Sequence, residues 1–225
     1  MVIHKKRLRI YRLIAMWIKI CGLSTDEAVK TAVENGASHI GFVFAKSKRQ
    51  VTPEQARQLS KDVPKSVKKV GLFVNASLDE ITETIKIAGL DMVQLHGDET
   101  IAFANQLPVP VIKAFGIKNG QLPSDIAEFK NHVILLDAPP AQFAGGSGQQ
   151  FEWEKVALSK LSGYQFFVAG GLTPDNVSKA ISFFQPTGVD VSSGVETDGK
   201  KDVKKISLFL ENSKKLSTHD VSEAD

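Results

Sequence analysis

Three side chains that could move protons or hold charge follow apolar runs in this sequence. Cys21, the only cysteine, closes Trp17-Ile18-Lys19-Ile20-Cys21-Gly22. Asp137 closes Val133-Ile134-Leu135-Leu136-Asp137, and Arg49 lies in Lys46-Ser47-Lys48-Arg49, just after the run 38–44. A thiol and a carboxyl group are proton-transfer groups, one accepting as thiolate, the other giving as acid. Each also has a plainer reading. A lone cysteine is often a small buried hydrophobe, an aspartate after a strand can cap the next helix, and a cationic run is usually a solvated face. A redox role for Cys21 lacks a second thiol. Lys19, two residues before Cys21 on the same face, can favour the thiolate or pair inside the protein with Asp190. Lys113, inside its own apolar run, is the residue a Schiff-base mechanism would use, but that leaves Cys21 and Arg49 unexplained. His96 shares a strand face with Gln94. One histidine without Cys, Asp or Glu at ligand spacing is no metal site, so His96 either lines a pocket or sits satisfied in the core.

Glycine-rich segments form a second signal. Ala169-Gly170-Gly171-Leu172-Thr173-Pro174 and Ser192-Ser193-Gly194-Val195 each follow an apolar run. Without side chains in the way, the backbone amides of Gly170, Gly171, Ser193 and Gly194 can approach a phosphate closely. Gly145-Gly146-Ser147-Gly148 can add amides, Gly146 among them, or form an ordinary flexible loop. Tight turns alone are the plainer reading of the first two.

The elements that must position these groups repeat eight times. Apolar runs lie at 17–22, 38–44, 68–74, 92–97, 111–116, 133–138, 166–171 and 188–194. Each is short and rich in β-branched or aromatic residues, as strands buried on both faces should be. Amphipathic segments follow, with start signals at Ser24 (Glu27 three residues on), Thr52-Pro53, Ser77, Thr173-Pro174 and Asp202. Eight strands, each followed by a helix, in about 200 residues predict an α/β fold, a (β/α)8 barrel of one domain; an open doubly wound sheet is the rival. In such a barrel chemistry sits at the C-terminal strand ends, and phosphate beside the loops after strands seven and eight.

Composition narrows the class. The chain has 225 residues, 42% hydrophobic, with a net charge of +3. Lys5, Lys6, Arg7, Arg9 and Arg12 supply more than that excess, and the first fifteen residues hold no acid. The body is therefore slightly acidic, which argues against a nucleic-acid partner. Arg12 and Lys19 interrupt a stretch already too short to cross a membrane. Residues 1–15 are read as a basic extension, disordered or upstream of a native start at Met16; a targeting peptide or a polyanion-binding arm are the other readings. Residues 16–214 form the barrel, and 215–225 a polar, disordered tail. One cysteine permits a cytoplasmic setting, and the lack of a long exposed apolar stripe suggests a monomer.

The ordered set KICG (19–22), GFVFAKSKRQV (41–51), VGLFVN (70–75), VQLHG (93–97), LLD (135–137), GGSG (145–148), AGGLTPDNV (169–177) and VDVSSGVE (189–196) resembles the phosphoribosylanthranilate isomerase family. Any one motif is weak, but together they span nearly the whole body. The resemblance implies an Amadori rearrangement in tryptophan biosynthesis, acting on a phosphorylated small molecule without metal or organic cofactor. It implies Cys21 as general base, Asp137 as general acid and Arg49 as partner of the anthranilate carboxylate. An unperturbed aspartic acid holds its proton at pH 7 at a cost of roughly 4 kcal/mol, and an unperturbed cysteine loses its own at roughly 2 kcal/mol. The site must offset both, and Lys19 can help with the thiol unless, as the preferred reading has it, it pairs inside the protein with Asp190.

Overall fold

The computed structural model describes residues 16–138 and 153–219. Eight parallel strands close into a barrel in chain order: β1 Trp17–Cys21, β2 His39–Val43, β3 Lys68–Phe73, β4 Met92–Leu95, β5 Val111–Gly116, β6 Val133–Asp137, β7 Phe166–Val168 and β8 Gly188–Val191. Closure is the pairing of β1 with β8, with Trp17 opposite Gly188 and Lys19 opposite Asp190. The (β/α)8 expectation holds, and the open-sheet rival falls with that pairing.

Burial on both faces explains the apolar runs. One face of each strand packs outward against the helix layer, Ile18, Ile20, Val93, Leu95, Ile134 and Leu136 among them. The other face fills the barrel with Val70, Met92, Ile112, Leu135, Phe167 and Ala169, against which Trp17 packs. The period of two then carries the interior face upward: Lys19 and Cys21 follow Trp17, Gln94 and His96 follow Met92, and Asp137 follows Leu135.

Six α-helices are present among the described residues: α1 Asp26–Glu34, α2 Pro53–Leu59, α3 Leu78–Ala88, α4 Ile101–Ala104, α5 Val177–Phe184 and α6 Val203–His219. After β5 the expected helix is absent: Ser124–Phe129 forms a 3-10 turn instead. Trp153–Lys155 and Leu158–Leu161, among the described residues between β6 and β7, are also 3-10 turns. These turns still seal the core, with Phe129 and Leu161 buried, so short apolar contacts replace a full amphipathic helix.

The start signals are partly corrected. Thr25, not Ser24, caps α1 by accepting from the Ala28 N–H at 3.3 Å. Thr52 and Gln55 form the full reciprocal box at α2, and Ser77 caps α3 as expected. Thr173-Pro174 opens a turn, and α5 begins only at Val177. Asp202 Oδ1 accepts from the N–H groups of Lys204 and Lys205 at the head of α6. That helix runs to His219, past the boundary expected at residue 215. It also stitches the outer ring shut. Asn212 donates to the Pro174 carbonyl at 2.9 Å, and its own carbonyl accepts from Ser178 Oγ at 3.0 Å. The basic extension 1–15, the Gly146 loop and the end of the tail lie outside the described residues.

Candidate active site

The strands end earlier than the apolar runs, so the rim is partly built from the first loop residues. Cys21 and Asp137 are the last residues of β1 and β6, and His96 stands one past β4. All three continue the inward-facing register at the C-terminal end. Gly170, Gly171, Ser193 and Gly194 follow β7 and β8 at the same end.

Cys21 is 4% exposed. Gly41, paired with it on β2, makes room for the sulfur: a Cβ on Gly41 would stand 3.0 Å from Sγ. Beneath it Lys19, wholly buried, donates from Nζ to Asp190 Oδ1 at 3.0 Å. Burial alone would lower the Lys19 pKa, but Asp190 and then Cys21 outweigh it and the ammonium is held charged. The thiol goes the other way from expectation. Burial raises the Cys21 pKa, Asp190 adds to the rise, and the pull of Lys19 and Lys201 is too small to reverse it. The physical reason is burial: Lys19 pulls the thiol down, but less than the loss of water pushes it up.

Asp137 Oδ1 accepts from the Ala138 N–H at 2.7 Å. Its Oδ2 lies 3.3 Å from His96 Nε2, and both side chains stay partly open to solvent, at 27% and 34%. On the far side of the ring, Gln94 Nε2 is 3.1 Å from His96 Nδ1. The loop that carries His96 is clamped by Glu99, whose carboxylate accepts from the N–H groups of Asn75 and Gly97 at 2.8 and 2.9 Å, and from Lys113 Nζ at 2.9 Å. Lys113 also donates to the Gly97 carbonyl. Burial would raise the Glu99 pKa, but these donors outweigh it and lower it. Lys113 thus braces a loop, and the Schiff-base reading loses its candidate.

Arg49 is not free. Its Nη2 donates to Glu196 Oε2 at 2.9 Å and its Nε to Oε1 of the same carboxylate. Glu196 also accepts from Lys201 at 2.8 Å and lies 3.4 Å from Lys48. Burial would raise the Glu196 pKa; Arg49 and Lys201 outweigh it and hold it at about 2. Three cations share one carboxylate, so the cluster keeps an excess positive charge. Glu196 and Lys201 went unnoticed as site residues in the sequence. The signal was there: Asp198-Gly199 is a two-residue hairpin turn, both residues have positive φ, and it folds Glu196–Thr197 against Lys200–Lys201.

The glycine segments meet at the rim. A Cβ on Gly194 would lie 1.7 Å from the Leu172 carbonyl oxygen, so only glycine lets the turn after β8 nest against the loop after β7. Gly170 and Gly171 both adopt positive φ.

A closed (β/α)8 barrel with a thiol, a carboxyl group and an arginine cluster at its C-terminal rim has the layout of a barrel enzyme, with its candidate groups where such enzymes hold theirs. Residues 18–212 match the family model described as N-(5'phosphoribosyl)anthranilate (PRA) isomerase. An N-(5'-phosphoribosyl)anthranilate isomerase of Listeria innocua is 53% identical over 199 residues, 88% of this chain and 98% of its own. The crystal structure of the Thermotoga maritima phosphoribosyl anthranilate isomerase superposes with a TM-score of 0.80 at 40% identity, covering 88% of this chain and 98% of that one. Another crystal structure of such an isomerase, in complex with reduced 1-(o-carboxyphenylamino)-1-deoxyribulose 5-phosphate, superposes at 0.76 with 38% identity and the same coverage. The chain belongs to the phosphoribosylanthranilate isomerase family, and it is an isomerase.

Proposed function

We propose that this isomerase converts N-(5-phosphoribosyl)anthranilate to 1-(2-carboxyphenylamino)-1-deoxyribulose 5-phosphate, in tryptophan biosynthesis, with Asp137 as acid and Cys21 as base. Asp137 gives its proton to the furanose ring oxygen. The carbon–oxygen bond breaks, the oxygen leaves as a hydroxyl, and the nitrogen lone pair closes a protonated Schiff base. Cys21 then takes the proton from the neighbouring carbon, leaving an enolamine; its hydroxyl gives up a proton as the former Schiff-base carbon takes one, and the ketone results. The raised thiol is compatible with this order. The Schiff-base cation adds, at the moment of need, to the pull of Lys19, and an adjacent cation favours the thiolate.

The observation that carries the reading is that Cys21 and Asp137 both end inward-facing registers at one rim, on strands three neighbours apart around the closed ring. A sugar between them can be approached from two sides. Arg49, inside a cluster of net positive charge, suits the anthranilate carboxylate, with Glu196 filling that role when no substrate is bound. His96, beside the acid, can reach a substrate hydroxyl. The amides of Gly170, Gly171, Ser193 and Gly194, with Gly146 from the loop after β6, suit the phosphate. A cytoplasmic monomer fits the lone buried Cys21 and the scarcity of exposed apolar side chains; Val74 and Leu208 are the large ones among the described residues. No helix among those residues is long and apolar enough to cross a membrane.

The test follows the loss of phosphoribosylanthranilate fluorescence with purified protein, Cys21→Ala and Asp137→Asn. Turnover by the wild type, with loss of about two to four orders of magnitude in kcat for each variant, is expected. Ligand binding without turnover would make the protein a sensor rather than a catalyst.

A further inference from the structure

Below His96 the barrel holds a polar group that the proposed reaction leaves unused. Gln94 is 1% exposed. Its Nε2 faces His96 Nδ1 at 3.1 Å, while its Oε1 is buried without a hydrogen-bond partner among the described residues. Across the ring, His96 Nε2 faces Asp137 Oδ2 at 3.3 Å. Neutral imidazole carries one N–H, so its two nitrogens have opposite roles. If the amide N–H donates to Nδ1, the ring proton is on Nε2 and His96 donates to Asp137. If the amide oxygen instead accepts from Nδ1–H, Nε2 is a bare lone pair, and only a protonated Asp137 can donate to it.

We propose that Gln94 is a positioning residue that sets the tautomer of His96 and thereby whether the ring supports Asp137 as carboxylate or as acid. The proposal rests on the reading of Asp137 as the proton donor. That carboxyl group must be a donor before ring opening and an acceptor after it. A neighbour of fixed polarity opposes one of those states. A primary amide carries both polarities on one plane, exchanged by a half-turn, and the unpartnered Oε1 surrenders no hydrogen bond in turning. The other oxygen of Asp137 cannot do this, because the Ala138 N–H only donates. Among the described residues, charge reaches the group from β8 and β1: Asp190 interacts with Asp137 and His96, and Lys19 is paired with Asp190.

Nitrogen-15 spectra of the His96 ring, in the wild type and in Gln94→Met, report the tautomer without reference to turnover. Without substrate the wild type is expected in the Nε2–H form, the one that pairs with the Asp137 carboxylate, and Gln94→Met as a mixture of the two. Gln94→Glu, which can only accept, is expected to put the proton on Nδ1. In steady state Gln94→Met is expected to lower kcat about tenfold or more and to change KM less than about threefold. In a His96→Ala background the same substitution should add nothing, because its effect travels through the ring. A wild-type ring already divided between tautomers, or an undiminished effect of Gln94→Met in the His96→Ala background, overturns the proposal. Full activity of Asp137→Asn would instead remove the acid assignment, and the spectra would still judge Gln94.

Discussion

The two ends of the barrel interior are made by the same strands with the same period, yet they use histidine in opposite ways. At the N-terminal end His39 is 4% exposed. Its ring centroid lies 5.3 Å from that of Trp17 and 5.4 Å from that of Phe167, and Nδ1 is 2.8 Å from Ser38 Oγ. Burial, then Lys19 and Lys68, lower its pKa to about 4, so it is a neutral filler at pH 7. At the C-terminal end His96 is partly open to solvent and sits between an amide and a carboxyl group. The residue type decides neither role; solvent access and the groups facing the ring do. Between the ends the buried Lys19–Asp190 pair divides an apolar plug from a polar mouth.

That division predicts unequal responses to substitution. Phe167→Ala, at the sealed end, removes a ring that is 0% exposed and is expected to cost about 3–5 kcal/mol in urea unfolding. The folded fraction should keep kcat within about threefold. Cys21→Ala and Asp137→Asn should do the reverse, and a bottom variant that abolished turnover per folded molecule would erase the distinction. Lys19→Met leaves Asp190 buried without its partner, and roughly 3–5 kcal/mol should be lost. A cost under about 1 kcal/mol would show that the pair divides nothing.

The pH dependence comes next in size. His39 is held at about 4 in the fold, against 6.5 when free. The unfolded chain therefore binds the extra proton, and this stability is complete above pH 6.5 and is lost as pH falls toward about 4. The full loss is roughly 3 kcal/mol. Glu196, held at about 2 against 4.5, adds a second loss in the lower window between those values. Unfolding free energies measured across the upper window should fall less steeply in His39→Leu than in the wild type; parallel curves would assign the loss to other groups. The smallest effect expected is at the mouth. Arg49→Ala should raise KM about ten- to a hundredfold, the worth of one charge-assisted hydrogen-bond pair. An unchanged KM would move the carboxylate contact elsewhere in the cluster.

Much of this was legible in the residues. Trp17 through Cys21, Met92 through His96 and Val133 through Asp137 each show a strand face that begins apolar and ends polar, which already places the chemistry at one rim. The Thr52-Pro53 box and the Ser77 cap were readable because caps are local. Ser24 was misread because Thr25 beside it offers the same hydroxyl, and only the backbone angles choose between them. The helix expected after β5 was misjudged because a short buried contact, Phe129, seals the barrel without a full amphipathic turn.

The sequence by itself determined the eight strand units and put Cys21, Asp137 and His96 at or just past the ends of their apolar runs and Arg49 in the segment after the second. These follow from periods of two and from hydrogen bonds between near neighbours along the chain. Closure waited on β1 meeting β8. Tertiary structure alone decided the partners. Glu196 reaches Arg49 from 147 positions away and Asp190 reaches Lys19 from 171. Those pairings set whether a guanidinium stands free and whether a buried ammonium stays charged. They depend on which strands meet when the ring closes, and no local pattern encodes that.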